Sequence, residues 1–111
     1  MISINIANEY TKTPGGRFKE EGDYSGEDFR DRILIPKYIE AEKNNDILEV
    51  NLDGGYGYGS SFLEEAFGGL ARKLPNVRPD QIQIISDEEP QLAEDIARYI
   101  SDAKNKRGEK K

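Results

Sequence analysis

The densest run of residues able to do chemistry is Asp53-Gly54-Gly55-Tyr56-Gly57-Tyr58-Gly59-Ser60-Ser61. It directly follows an apolar segment, Ile47 to Leu52, and directly precedes a helical apolar pattern. A strand that ends in a glycine-rich turn and feeds a helix sets polar groups at the carboxyl edge of a sheet, where open α/β sheets bind ligands. The first amides of such a helix lack intrahelical acceptors and favour an anion by about 0.3–1 kcal/mol at an exposed site. Three chemistries are open to Ser60 and Ser61. Either hydroxyl can cap the helix, contributing about 1 kcal/mol, while the glycines supply positive φ. Ser60 can accept a phosphoryl group, whose charge of about −1.5 to −2 repels or recruits a partner. Or the turn can cradle the phosphate of a nucleotide, although a Walker A loop ends in Gly-Lys-Ser/Thr and no lysine precedes Ser60.

The surface these readings share is Tyr56, Gly57, Tyr58, Gly59, Ser60 and Ser61, with Glu64 and Glu65 on the exposed part of the helix that follows. Tyrosines spaced by glycines suit recognition, because aromatic anchors dominate interface energies. They serve equally well as a lid on the domain's own core. A phosphate on Ser60 is expected to stand near Glu64, four residues on, and to weaken partner binding by like-charge repulsion.

Other groups are less pointed. Asp53, Asp87, Glu88 and Glu89 follow strands and could converge on a magnesium ion, but capping and first-turn dipole effects account for Asp87, Glu88 and Glu89, and no metal site is expected. Arg17 and Lys19, after Gly15-Gly16, are either solvated, paired with the acidic surface or available to an anion. Gly68 and Gly69 interrupt a helix at about 1 kcal/mol each, which calls for close packing or a shallow groove. Phe62, Leu63, Phe67 and Leu70 cover more than one narrow stripe, so some are expected to face another chain.

Composition narrows the rest. The 111 residues are one domain's worth, 35% hydrophobic and 34% charged, with neither cysteine nor histidine. Disulfides, thiolate nucleophiles, Ser-His-Asp catalysis and the usual zinc and iron sites are thereby excluded. No spacing singles out carboxylates, lysine or tyrosine for catalysis, so the expectation is a non-enzymatic protein with no catalytic residue and no cofactor. Five bases against one acid give residues 104–111 a net charge of +4, which leaves −10 on residues 1–103 out of a total of −6. An acidic body repels phosphate backbones, so nucleic acid is not the expected partner. No apolar run approaches the roughly 20 residues of a membrane span. No membrane contact and a cytoplasmic location are expected.

The elements that must position these groups follow from periodicity. Ile2, Ile4 and Ile6 alternate with polar or small residues as a half-buried strand, and Arg17-Phe18-Lys19 offers a second short one. Ser25 marks a helix start, with Asp28 as capping-box partner and Tyr24 placed to staple onto Phe29. That helix runs from about 26 to 44, kinked or broken at Pro36 and closed by Asn44-Asn45-Asp46. Ile47–Leu52 reads as a central strand with both faces covered. Phe62, Ala66, Leu70 and Leu74 define an amphipathic helix ended by Pro75; Ile82, Ile84 and Ile85 form a third strand. Asp87-Glu88-Glu89-Pro90 opens a last helix that buries Leu92, Ile96, Tyr99, Ile100 and Ala103. Strands alternating with helices give an α/β layer with parallel pairs and right-handed crossovers. The expected domain is 1–103, followed by a basic flexible tail, 104–111.

The runs Ser25-Gly26-Glu27-Asp28-Phe29-Arg30, Ile47–Leu52 and Gly57-Tyr58-Gly59-Ser60-Ser61-Phe62-Leu63-Glu64-Glu65-Ala66-Phe67-Gly68-Gly69-Leu70 resemble the STAS-like family DUF4325 over residues 15–75. That resemblance implies a small STAS-like α/β domain: three to five strands, partly parallel, packed with three to four helices. STAS domains are typified by bacterial anti-sigma factor antagonists, which bind a kinase-type anti-sigma factor and are switched off by phosphorylation of a serine at a strand–helix turn. The resemblance therefore implies a regulatory protein–protein interaction module whose partner is an ATPase of the histidine-kinase type. In the wider group the acceptor turn reads roughly Asp-Ser-Ser/Thr-Gly, which lays the acceptor on Ser60 and its neighbour on Ser61. Gly59 stands where the aspartate would be and Phe62 where the glycine would be. The alternative class is a nucleotide- or phosphate-binding module that uses the amides of the Gly57–Ser61 turn.

Overall fold

Three four-residue strands carry the apolar alternation, and their register shows which side each residue takes. In the computed structural model, which describes residues 1–109 with side chains through Lys106, these are β1 (Ile2–Asn5), β2 (Leu48–Asn51) and β3 (Ile82–Ile85). They pair in the order β1-β2-β3, all parallel. Ile2, Leu48 and Ile82 align across the sheet, as do Ile4, Val50 and Ile84, and both rows lie on the helical face. The alternate rows are Ser3, Glu49 and Gln83, then Asn5, Asn51 and Ile85. Period-2 alternation therefore gives a two-layer fold with one polar sheet face, in place of a central strand covered on both sides.

Four helices accompany the sheet among the described residues. Asn5 caps α1 (Ile6–Glu9) by accepting from the Asn8 amide at 3.0 Å, so Ile6 opens a helix instead of extending β1, and stays buried. The second helix, α2, spans 26–43 as α-helix Gly26–Phe29, a π turn Arg30–Leu34 and α-helix Ile35–Lys43. Pro36 has no amide hydrogen to donate, and the wide turn just before it lets the helix pass without a break. The third, α3, spans 60–73 and has a π turn at Glu64–Gly68. The last, α4, is Gln91–Glu109.

Crossovers from β1 to β2 and from β2 to β3 step the same way, so right-handedness puts α2 and α3 on the same face. There α3 lies between α2 and α4. Phe62, Leu63, Ala66, Phe67, Leu70 and Ala71 are consequently all buried, and none of the wide apolar surface of α3 is left for another chain.

Local expectations fared unevenly. Ser25 does cap α2, accepting from the Asp28 amide at 3.1 Å. The Asp28 carboxylate, however, accepts from the Tyr10 hydroxyl at 2.8 Å and from Arg32 at 2.9 Å. The Tyr10 ring sits between Tyr24 and Phe29, with centroids at 5.5 and 5.4 Å, and takes the place of the expected staple. No strand forms at Arg17–Lys19; a short 3-10 helix, Lys19–Glu21, occupies the loop instead. Helical backbone continues through Glu109, past the expected start of the tail, and Lys104 donates to the carbonyls of Val77 and Pro75 at 2.8 and 3.3 Å. Lys110 and Lys111 lie outside the described residues.

Candidate functional site

At the carboxyl end of β2, chain and side chains divide the glycine-rich segment into an inward half and an outward half. Leu52 is buried, and its carbonyl accepts from the Tyr58 hydroxyl at 2.8 Å. Tyr58 packs on Phe62 with centroids 6.1 Å apart, and burial, followed by the nearby carboxylates of Asp53, Glu88 and Glu89, pushes its phenol up to about 12. Tyr58 is thus a neutral lid on the core. Tyr56 points the other way and is 82% exposed. Its amide donates to the carbonyl of Lys12 at 2.9 Å, which ties the turn to the loop after α1. Gly57, with φ at +134° and nothing near its missing side chain, separates the two tyrosines.

The turn delivers the chain to α3 through Gly59, which is the N-cap and offers no side-chain acceptor. Ser60 and Ser61 are the first two helical residues and both are exposed, so the reading of either as an N-cap is set aside. Asp53 accepts from the amides of Asp87 and Glu88 at 3.1 and 3.0 Å, and Glu88 accepts from the Gly54 amide at 3.0 Å. The acidic residues behind the turn do converge, as ties between loops. Among the described residues no group of three or more carboxylates could hold a metal ion.

One turn further along α3 the surroundings change. Glu65, expected on the exposed face, is buried, and its carboxylate accepts from Arg30 at 2.5 Å and Arg17 at 3.3 Å. Glu64 accepts from Arg17 at 2.5 Å and Arg72 at 2.7 Å; the Arg72 bond, then that of Arg17, holds its carboxyl below the usual range. Arg30, only 4% exposed, also reaches Asp31 at 2.8 Å. The two helical glycines make room for this network. A side chain at Gly69 would meet Arg30 Nη1 at 2.6 Å, and one at Gly68 would meet Glu64 Oε2 at 2.5 Å. Arg17 therefore pins the 11–25 loop to α3, and Lys19 lies 3.7 Å from Asp31.

Of the eight expected surface residues, Tyr56, Gly59, Ser60 and Ser61 are exposed, Gly57 and Glu64 are half-buried, and Tyr58 and Glu65 serve the interior. Glu64 is held by two arginines, so the charge it sets one helical turn beyond Ser60 is partly compensated. Sequence reasoning overlooked Arg30 and Arg72. Arg30 stands four residues before buried Leu34, on the same helical stripe, which was the available signal.

No curated protein sequence and no solved structure shows significant similarity to the chain. The family model described as a STAS-like domain of unknown function, DUF4325, matches residues 25–91, a span that contains α2, β2, the glycine-rich turn, α3 and β3. With more than half its length matched, the chain belongs to that STAS-like family.

Proposed function

We propose that this chain is a non-enzymatic regulatory module that binds a protein partner through the outward half of the glycine-rich turn: Tyr56, Gly57, Gly59, Ser60 and Ser61. The observation that carries the reading is the pairing of an 82% exposed tyrosine with two exposed serines at the start of a helix whose N-cap has no side-chain acceptor. An aromatic anchor so placed loses water only when another surface covers it. A phosphate on Ser60 would be accommodated by the helix dipole and would change the charge offered to the partner. Its effect acts mainly on the partner's side, since the charge of Glu64 is partly compensated. The partner class implied by the STAS resemblance is an ATPase of the histidine-kinase type.

The test is affinity capture from the native cell with the parent chain, Tyr56→Ala and Ser60→Asp as three baits, read by mass spectrometry. The reading expects an ATPase retained by the parent and depleted with both variants. Capture that is identical for all three baits refutes it. Calorimetric titration with nucleotides separates the alternative, because a pure interaction module gives no binding heat.

A further inference from the structure

We propose that the outer edge of β3 and the flank of α4 beside it form a homodimer interface, in which two copies join β3 to β3 antiparallel across a two-fold axis and lay α4 against α4. This surface lies apart from the glycine-rich turn and does not depend on the function proposed for it.

β3 ends the sheet, hydrogen-bonded to β2 on one side only. Its four residues, Ile82-Gln83-Ile84-Ile85, include no charge and no proline, two of the devices by which sheet edges are kept from pairing. Beside this edge runs a shallow apolar groove lined by Ile82, Ile84, Ala93, Ile96, Ala97 and Ile100. Ile82, Ile84 and Ala93 remain half-buried, and Ala97 is exposed.

Charge identifies the occupant as a second copy. At 100° per residue the flank of α4 next to the groove carries Glu94, then Ala97 and Ser101, then Lys104. It is acidic at one end, small in the middle and basic at the other. In an antiparallel pair Glu94 of each copy approaches the end of the other's flank where Lys104, seated on its own Val77 and Pro75 carbonyls, carries the positive charge, while the small residues let the helices close near the axis. A uniformly acidic or basic partner would satisfy one end of this flank and be repelled at the other. α4 runs back along β3, so one two-fold axis serves both elements. The dimer would hold its two Tyr56 turns at opposite ends of a six-stranded sheet.

Sedimentation equilibrium of the full chain from micromolar to millimolar concentration tests the proposal. The expected mass rises to twice that of the chain. Ala97→Glu, at an exposed helical position, should weaken the association roughly tenfold or more by burying an unpaired charge, with an unchanged circular dichroism spectrum. Glu94→Lys should weaken it as well, by setting like charges face to face. In the parent, amide exchange along β3 should slow as concentration rises. A monomer mass throughout overturns the proposal. So does a dimer indifferent to both substitutions, because the uncharged outer edge of β1 would then be the contact.

Discussion

The first turn of α3 and its middle lie less than 10 residues apart and are built on opposite principles. The middle is held from three directions, with Arg17 from the loop, Arg30 from α2 and Arg72 from α3 itself gathered on Glu64 and Glu65. The first turn is held only from beneath, by Phe62 and Leu63 in the core, and its serines face solvent. A charged network that locks the helix axis leaves the side chains of Ser60 and Ser61 without a structural duty, while Phe62 and Leu63 of the same turn hold the core. That separation is what a recognition site needs, because residues there can change charge or partner without endangering the fold.

The sharpest way to break this contrast is Glu65→Ala. It leaves Arg30 buried with one of its two carboxylate partners gone and should cost about 3 kcal/mol, measured as a lower midpoint in urea unfolding. Gly69→Ala should cost a net of about 1–2 kcal/mol, the overpacking against Arg30 exceeding the gain in helix propensity, and would show in the melting temperature. A gain in stability there would mean that Arg30 moves aside freely. Acid acts on the same region. Glu64 ionises below its ordinary value of 4.5, so its pairing contributes fully above that pH and is lost as the pH falls through the lower folded value. Glu64→Gln should flatten this part of the acid limb, by no more than about 1 kcal/mol. At the other pole, Tyr56→Ala, Ser60→Ala and Ser61→Ala should each move stability by less than about 0.5 kcal/mol. A loss near 1 kcal/mol at either serine would restore it as a helix cap.

Much of the fold was legible from the chain. Ser25, Pro75 and the apolar spacing placed α2 and α3 to within a residue or two, because caps and period 3.6 are local properties. The Arg17–Lys19 strand failed because three residues beside glycines carry too little pattern to tell a strand from a 3-10 turn. Ile6 alternates correctly for a strand and is buried as expected, yet the Asn5 side chain turns the backbone into a helix. The π turns at 30–34 and 64–68 had no usable signature. They shift the phase of each helix by a residue and help to bring Glu64 and Glu65 together toward the arginines.

The site divides along the same line. Composition alone excluded histidine and cysteine chemistry, and the strand–glycine–helix grammar located the turn, since both depend only on residue identity and near neighbours. Why Gly69 is tolerated and that Glu65 is buried depend on residues 35 to 48 positions away meeting at contact distance. Long-range charge pairing leaves no periodic trace along a chain, because an arginine looks the same whether its partner is water or a buried carboxylate. Packing α2 against α3 is what made that difference.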